Sequence, residues 1–210
     1  MAIHRPLLIF GLAALLLFAG AQIWMGVQSN APRIQERPQG APFVLQSASG
    51  DFDLASLDDR LALIYFGYTW CPDICPASMM FMAGAIQQLP EDWQHLIQPI
   101  FISVDPERDT PERLAAYADF FEADILGLTG EATQLEALAR SYGAFYRFVE
   151  LDSAMGYAVD HSSDFYLASS QGELLATLPH ANSSDELYRA LTAALARLAN
   201  DTENDTEEGT

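Results

Sequence analysis

The stretch LALIYFGYTWCPDICPASMM, residues 61–80, decides how the rest of the chain is read. Its first seven residues, Leu61–Gly67, are apolar without alternation, as a central strand buried on both faces should be. Residues 77–89 then carry the spacing of a helix. Between them, residues 68–76 form a loop punctuated by Pro72, Asp73 and Pro76, and this loop holds Cys71 and Cys75, the chain's 2 cysteines. Four residues apart, two sulfurs fall on one side of a helical turn. A helix N-terminus beside them offers partial positive charge and unpaired N–H groups, which lower a thiol's pKa.

Outward from this stretch the chain alternates strands and helices. Residues 43–46 and 51–54 read as a short hairpin around Gly50. Residues 99–104 (PIFISV) are a second buried strand. Thr110 and Pro111 open a helix through residue 121, with Thr110 as N-cap and Pro111 in the first turn. Residues 125–128 form a short strand, and residues 133–142 a helix stopped at Gly143. Strands are expected at 145–151 and 157–160. A hairpin over 165–168 and 174–177 turns at Gln171-Gly172, and a closing helix spans 184–198 behind a serine cap. This order predicts an α/β fold, a mixed central sheet with helices on both faces.

Composition narrows the chemistry. The chain has 210 residues, 10 Arg and no Lys against 29 acids, for a net charge of −19. No lysine means no P-loop lysine, no kinase-type lysine and no Schiff base. So acidic a chain lacks the basic stripe that nucleic acid requires. Two cysteines make neither a disulfide scaffold nor a four-thiolate zinc site.

The two ends read differently from the middle. No charge falls between Arg5 and Arg33, and residues 7–27 are 21 residues with Gln22 as the one polar side chain. About 20 apolar residues span a bilayer, and Trp24 suits its interface. Ala19-Gly20-Ala21 resembles a signal-peptidase site, but the apolar run continues past it, which favours an uncleaved anchor. The expected organisation is therefore a short segment 1–6, a transmembrane helix 7–27, a Pro- and Gly-bearing linker 28–40, one domain 41–199, and an acidic disordered tail 200–210.

The cysteine pair admits several readings. Two thiolates are soft ligands suited to Cu(I). The same thiols can close into a disulfide and exchange. They can also be plain core residues, although the flanking prolines mark an exposed turn. Zinc would need two histidines to complete a tetrahedron. Of the 4 histidines, His4 precedes the apolar span, His95 reads as a surface or packing residue, and His180 as a loop residue. His161, in Val159-Asp160-His161-Ser162-Ser163, lies just before a strand, where loops at a sheet edge can meet. A Cys-Cys-His set suits copper, and Asp160 is a candidate to orient the imidazole. Alone, His161 is better explained as a structural residue than as a ligand. Asp105 and Asp109 read first as turn and capping acids, and second as acids near a metal. Met79, Met80 and Met82 read as helix packing.

Three segments together carry a resemblance: residues 66–79 (FGYTWCPDICPASM), 103–111 (SVDPERDTP) and 159–167 (VDHSSDFYL). In order and spacing they resemble the Sco/SenC family, over roughly residues 41–199. The resemblance implies a membrane-anchored thioredoxin-like domain facing the periplasm or mitochondrial intermembrane space. It implies a role in cytochrome c oxidase assembly, with Cys71, Cys75 and His161 as copper ligands. The expected function is a metallochaperone for the dinuclear copper site of oxidase subunit II, with that subunit or another copper carrier as partner. The alternatives are a thiol-disulfide oxidoreductase using Cys71 and Cys75 as its redox pair, or a redox or copper sensor. Trp70 before the first cysteine is a thioredoxin habit. Three residues between the cysteines, and His161 where thioredoxins keep a proline, are not.

Overall fold

A computed structural model describes residues 37–121 and 123–208, the side chains of 201–208 excepted. The expected anchor, residues 7–27, lies outside them, as does most of the linker. Among the described residues no helix is long and apolar enough to cross a membrane. In chain order the elements are β1 (Val44–Ser47), β2 (Gly50–Asp53), a 3-10 turn (Leu54–Leu57), β3 (Leu61–Gly67), α1 (Ile74–Gln87), α2 (Glu91–Gln94), β4 (Ile97–Ser103), α3 (Pro111–Asp119), β5 (Leu126–Leu128), α4 (Ala132–Ser141), β6 (Tyr146–Glu150), β7 (Tyr157–His161), β8 (Phe165–Ala168), β9 (Leu174–Leu178) and α5 (Ser184–Glu208).

The unbroken apolar run is the middle strand of a five-stranded sheet, β5-β4-β3-β8-β9. β4 pairs with it in parallel and β8 antiparallel, so the sheet is mixed as expected. A strand paired on both edges and covered on both faces has no water to face, which is why its sequence does not alternate. Alternate residues point to opposite layers. Tyr65 stacks on Phe101, and Phe101 meets Tyr117 of α3. Phe66 on the other face meets Tyr142 at the end of α4. The crossovers through α1 and α3 step the same way across the sheet and share a face, and α5 packs against α1. Each fully buried large side chain of this core contributes about 2–3 kcal/mol.

Local signals set most boundaries. Thr110 caps α3 by accepting from the Arg113 N–H at 3.3 Å, with Pro111 in the first turn. Gly143 ends α4 at φ +78°, a left-handed position that glycine fills without strain. The helix after the cysteines begins at Ile74 instead of residue 77, which places Cys75 inside its first turn. Pro76 is compatible with that start because first-turn N–H groups need no helical partner. α5 continues to Glu208, into the stretch expected to be an unstructured tail. Extending a packed helix adds one bond per residue ordered, whereas starting one does not.

Two strand pairs stand outside the main sheet: β1 with β2, and β6 with β7. The second pair is a ribbon turning through Gly156 at φ +73°. It leads directly into β8. Because β8 runs antiparallel to β3, with Phe165 opposite Tyr65, the segment between ribbon and β8 arrives beside the C-terminal end of β3. That is where the cysteine loop leaves the sheet.

Candidate metal centre

Cys71, Cys75 and His161 come together at this edge. Their Sγ and ring-nitrogen atoms all lie within 4.8 Å of one another. The Cys75 Sγ is 3.2 Å from His161 Nε2. They are separated by up to 90 residues in sequence and meet only because topology sets β8 beside β3. Cys75 is fully buried and Cys71 half-buried, and both are free thiols.

The backbone makes room for the sulfur. A Cβ on Gly67 would lie 2.8 Å from Cys75 Sγ and 2.8 Å from Phe101, closer than carbon tolerates. The last residue of β3 is therefore glycine because a thiol occupies the side-chain space.

His161 is held in one tautomer. Its Nδ1 is 2.8 Å from the Ser162 carbonyl oxygen, which only accepts, so Nδ1 carries the proton and Nε2 turns its lone pair toward Cys75. The ring sits edge-on to Tyr65 and Tyr68, centroids 6.0 and 5.9 Å away. Asp160, expected to orient the imidazole, does not touch it. As the preceding residue of a strand it points to the opposite face, where it accepts from the exposed Arg147 at 2.8 and 3.1 Å.

The two acids of DPERD turn out to be positioning residues. Asp109 is fully buried and accepts from the Thr69 N–H at 2.8 Å, the Thr69 hydroxyl at 2.5 Å and the Ser103 hydroxyl at 2.6 Å. It thus ties the cysteine loop two residues before Cys71. Asp105, also fully buried, accepts from the Tyr157 hydroxyl at 2.8 Å and from Arg108 Nε at 2.5 Å. Arg108 also donates to the Tyr157 carbonyl at 3.1 Å and lies over its ring at 3.6 Å. Tyr157 begins the strand that ends in His161, so one loop fastens both ligand-bearing segments. Neither acid reaches the sulfurs or the imidazole. The capping reading holds for Thr110 and fails for Asp109, whose side chain turns inward.

The electrostatics separate the two thiols. Hydrogen bonding from Cys75 pulls Cys71 well below the usual thiol range, against the opposing effect of burial. Burial, then the neighbouring Cys71, pushes Cys75 up. One half-exposed thiol loses its proton readily and its buried partner keeps it.

Met79 and Met82 are core residues, while Met80 is exposed on the outer face of α1. Trp70 is 41% exposed and lies between the guanidinium groups of Arg108 and Arg113, at 5.5 and 5.2 Å. His95 and His180 are not part of the cluster. Sequence reasoning missed Tyr65, Tyr68, Gly67, Arg108 and Tyr157. The aromatic residues read as plain core, and Arg108 sat unnoticed between two acids that drew attention to themselves.

Two thiol sulfurs and one imidazole nitrogen, brought together at the end of a central strand, define a soft-metal site on a thioredoxin-like domain. The donor set fits copper, and the space in front of Gly67 accommodates the deeper sulfur. The chain belongs to the SCO1/SenC family, whose model matches residues 31–196. It is 35% identical over 190 residues to a bovine mitochondrial SCO2 homologue, covering 84% of this chain and 70% of that one. Its fold is similar to copper-bound ScoI of Arabidopsis thaliana, with TM-score 0.68 and 33% identity, covering 75% of this chain and 98% of the other. It is also similar to copper-bound yeast Sco1, with TM-score 0.65 and 30% identity, covering 75% and 88%. Cys71, Cys75 and His161 are positioned to form a copper site.

Proposed function

We propose that this protein is a copper-binding assembly factor that takes up one copper ion through Cys71, Cys75 and His161 and helps to install copper in the dinuclear site of cytochrome c oxidase subunit II. The observation that carries this reading is the approach of Cys75 Sγ to His161 Nε2 at 3.2 Å, with the lone pair of Nε2 turned toward the sulfur. Copper is cargo here. Three ligands leave a coordination position open, which a partner's thiol can occupy during transfer. Binding requires thiolates and a neutral imidazole, and the readily ionised Cys71 gives the first of these.

The family resemblance supports a partner among the oxidase subunit itself or another copper carrier. It also supports residues 7–27 as the anchor of a domain facing the periplasm or the mitochondrial intermembrane space. The decisive experiment is copper titration of the soluble domain with His161→Ala beside it. Loss of the thiolate-to-copper absorption pattern and a large drop in affinity are expected. Unchanged spectrum and affinity would sink the three-ligand site.

A second reading has its own observation. A half-exposed, easily ionised Cys71 next to a buried, protonated Cys75 suits thiol exchange, with Cys71 attacking and Cys75 resolving. Acting as reductase, the pair would pass two electrons to an oxidised cysteine pair on the oxidase and be left as the Cys71–Cys75 disulfide. Reduction of an oxidised subunit II fragment by His161→Ala protein, at the wild-type rate without copper, would favour this reading.

A further inference from the structure

Tyr65 has a hydroxyl with nowhere to go. Its side chain is fully buried in the central strand, and among the described residues its phenol oxygen makes no close hydrogen bond. A buried hydroxyl without a partner costs about 1–3 kcal/mol, so its place here calls for a reason. Packing alone does not supply one, because phenylalanine would fill the same volume without the penalty.

Its neighbours are those of the metal centre. Tyr65 stands two residues before Gly67 on the same face of β3. The space left by the missing Gly67 side chain is bordered by both Cys75 Sγ, at 2.8 Å, and the Tyr65 ring edge at Cε1, at 3.2 Å. The Tyr65 ring meets the His161 imidazole edge-on at 6.0 Å. The polar groups nearest the phenol are the Cys75 sulfur and the Ser78 hydroxyl, which is equally buried and likewise makes no close hydrogen bond among the described residues. A phenol is a hydrogen-bond donor at neutral pH, so it has a proton to offer.

We infer that the Tyr65 hydroxyl is a hydrogen-bond donor held in reserve for the Cys75 thiolate, and that it sets the stability and reduction potential of the copper-loaded site. It is a positioning residue, not a ligand. In the metal-free protein Cys75 is a thiol, a poor acceptor, and its close contact is with His161 Nε2. When copper displaces that proton, the sulfur becomes an anion and a far better acceptor. A donor to a metal-bound thiolate draws charge from the sulfur, which favours Cu(I) over Cu(II) and raises the potential. The inference rests on the copper reading of this site.

Tyr65→Phe removes one oxygen and tests it in two states. In metal-free protein the variant unfolds at the same temperature as wild type or higher, since it deletes an unsatisfied buried group. Loaded with copper, the order reverses. Cu(I) affinity falls about fivefold relative to Cu(II), as loss of one such bond implies. The potential then drops by about 40 mV, at 59 mV per tenfold for one electron. The thiolate-to-Cu(II) band moves to longer wavelength. The inference is overturned if the loaded variant keeps the wild-type band and potential. It is also overturned if the metal-free variant is less stable, because the hydroxyl would then already serve a partner such as Ser78. Wild-type protein that binds no copper overturns the copper reading instead, so the two failures are told apart.

Discussion

The metal centre is assembled from two arms of unequal build. The cysteine arm is the strand–helix junction at the centre of the molecule: β3 is hydrogen-bonded along both edges, and α1 packs against β4 and α5. The histidine arm is a two-stranded ribbon that pairs with no strand of the main sheet. It is secured at the site by Tyr157, which is held by Asp105 and Arg108, and by the exchange between Phe145 and Ser162. The difference teaches that the thiols are placed by folding itself, whereas the imidazole is placed by a few polar fastenings. Strand pairs without a third partner are marginal on their own, so the histidine arm is where the site opens at least cost.

Mutations at the two arms should separate affinity from stability. The largest effect is expected from Cys75→Ser on the cysteine arm. It replaces a soft, buried ligand with a hard one and should abolish stoichiometric copper, read by metal analysis of the purified domain, while the fold is retained by circular dichroism. Next comes Asp109→Ala. It leaves the Thr69 N–H and the Ser103 hydroxyl without their acceptor and should cost about 3 kcal/mol of unfolding free energy, with copper affinity falling alongside.

On the histidine arm, Tyr157→Phe should behave in the opposite way. Thermal unfolding should stay within about 1 kcal/mol of wild type, yet copper affinity should fall roughly tenfold as His161 loses its fastening. A stability loss as large as that of Asp109→Ala would mean the ribbon is as integral as the sheet, and the contrast would collapse. The smallest effect belongs to the exposed Arg147–Asp160 pair. Arg147→Ala should change stability by no more than about 0.5 kcal/mol and leave copper affinity alone.

The thiols can be compared by pH. The lowered Cys71 stays thiolate as pH falls below the ordinary thiol range, and the raised Cys75 stays protonated above it. Alkylation of metal-free protein in mildly acidic buffer should therefore modify Cys71 and spare Cys75. Mass spectrometry of the labelled peptide would decide, and equal labelling of both would contradict the assignment.

The same asymmetry explains what was legible in the sequence. The cysteine arm announced itself, because an unalternating apolar run, prolines and two thiols are local signals read within 20 residues. β3 and β8 fell where expected, and the mixed sheet followed from element order. The histidine arm depends on long-range pairing. Nothing local shows that residues 146–161 form a ribbon outside the sheet, or that Asp160 faces away while Tyr157 faces in. His161 was found because the three motifs together resemble a family, not because its own surroundings mark it. The roles of Asp105 and Asp109 were half visible for the same reason: acids before a helix read as caps until their partners, 40 and 52 residues away, are in view.

Gly67 has one more consequence, which concerns how such a site is lost. Any side chain there would press on the Cys75 sulfur from behind while all three donors remain spelled out in the chain. A descendant with an alanine at this position would still carry every ligand and pass inspection by motif, yet have its metal seat obstructed. The hydrogen atom on that α-carbon is a single-step point of failure that a search for ligands alone would overlook.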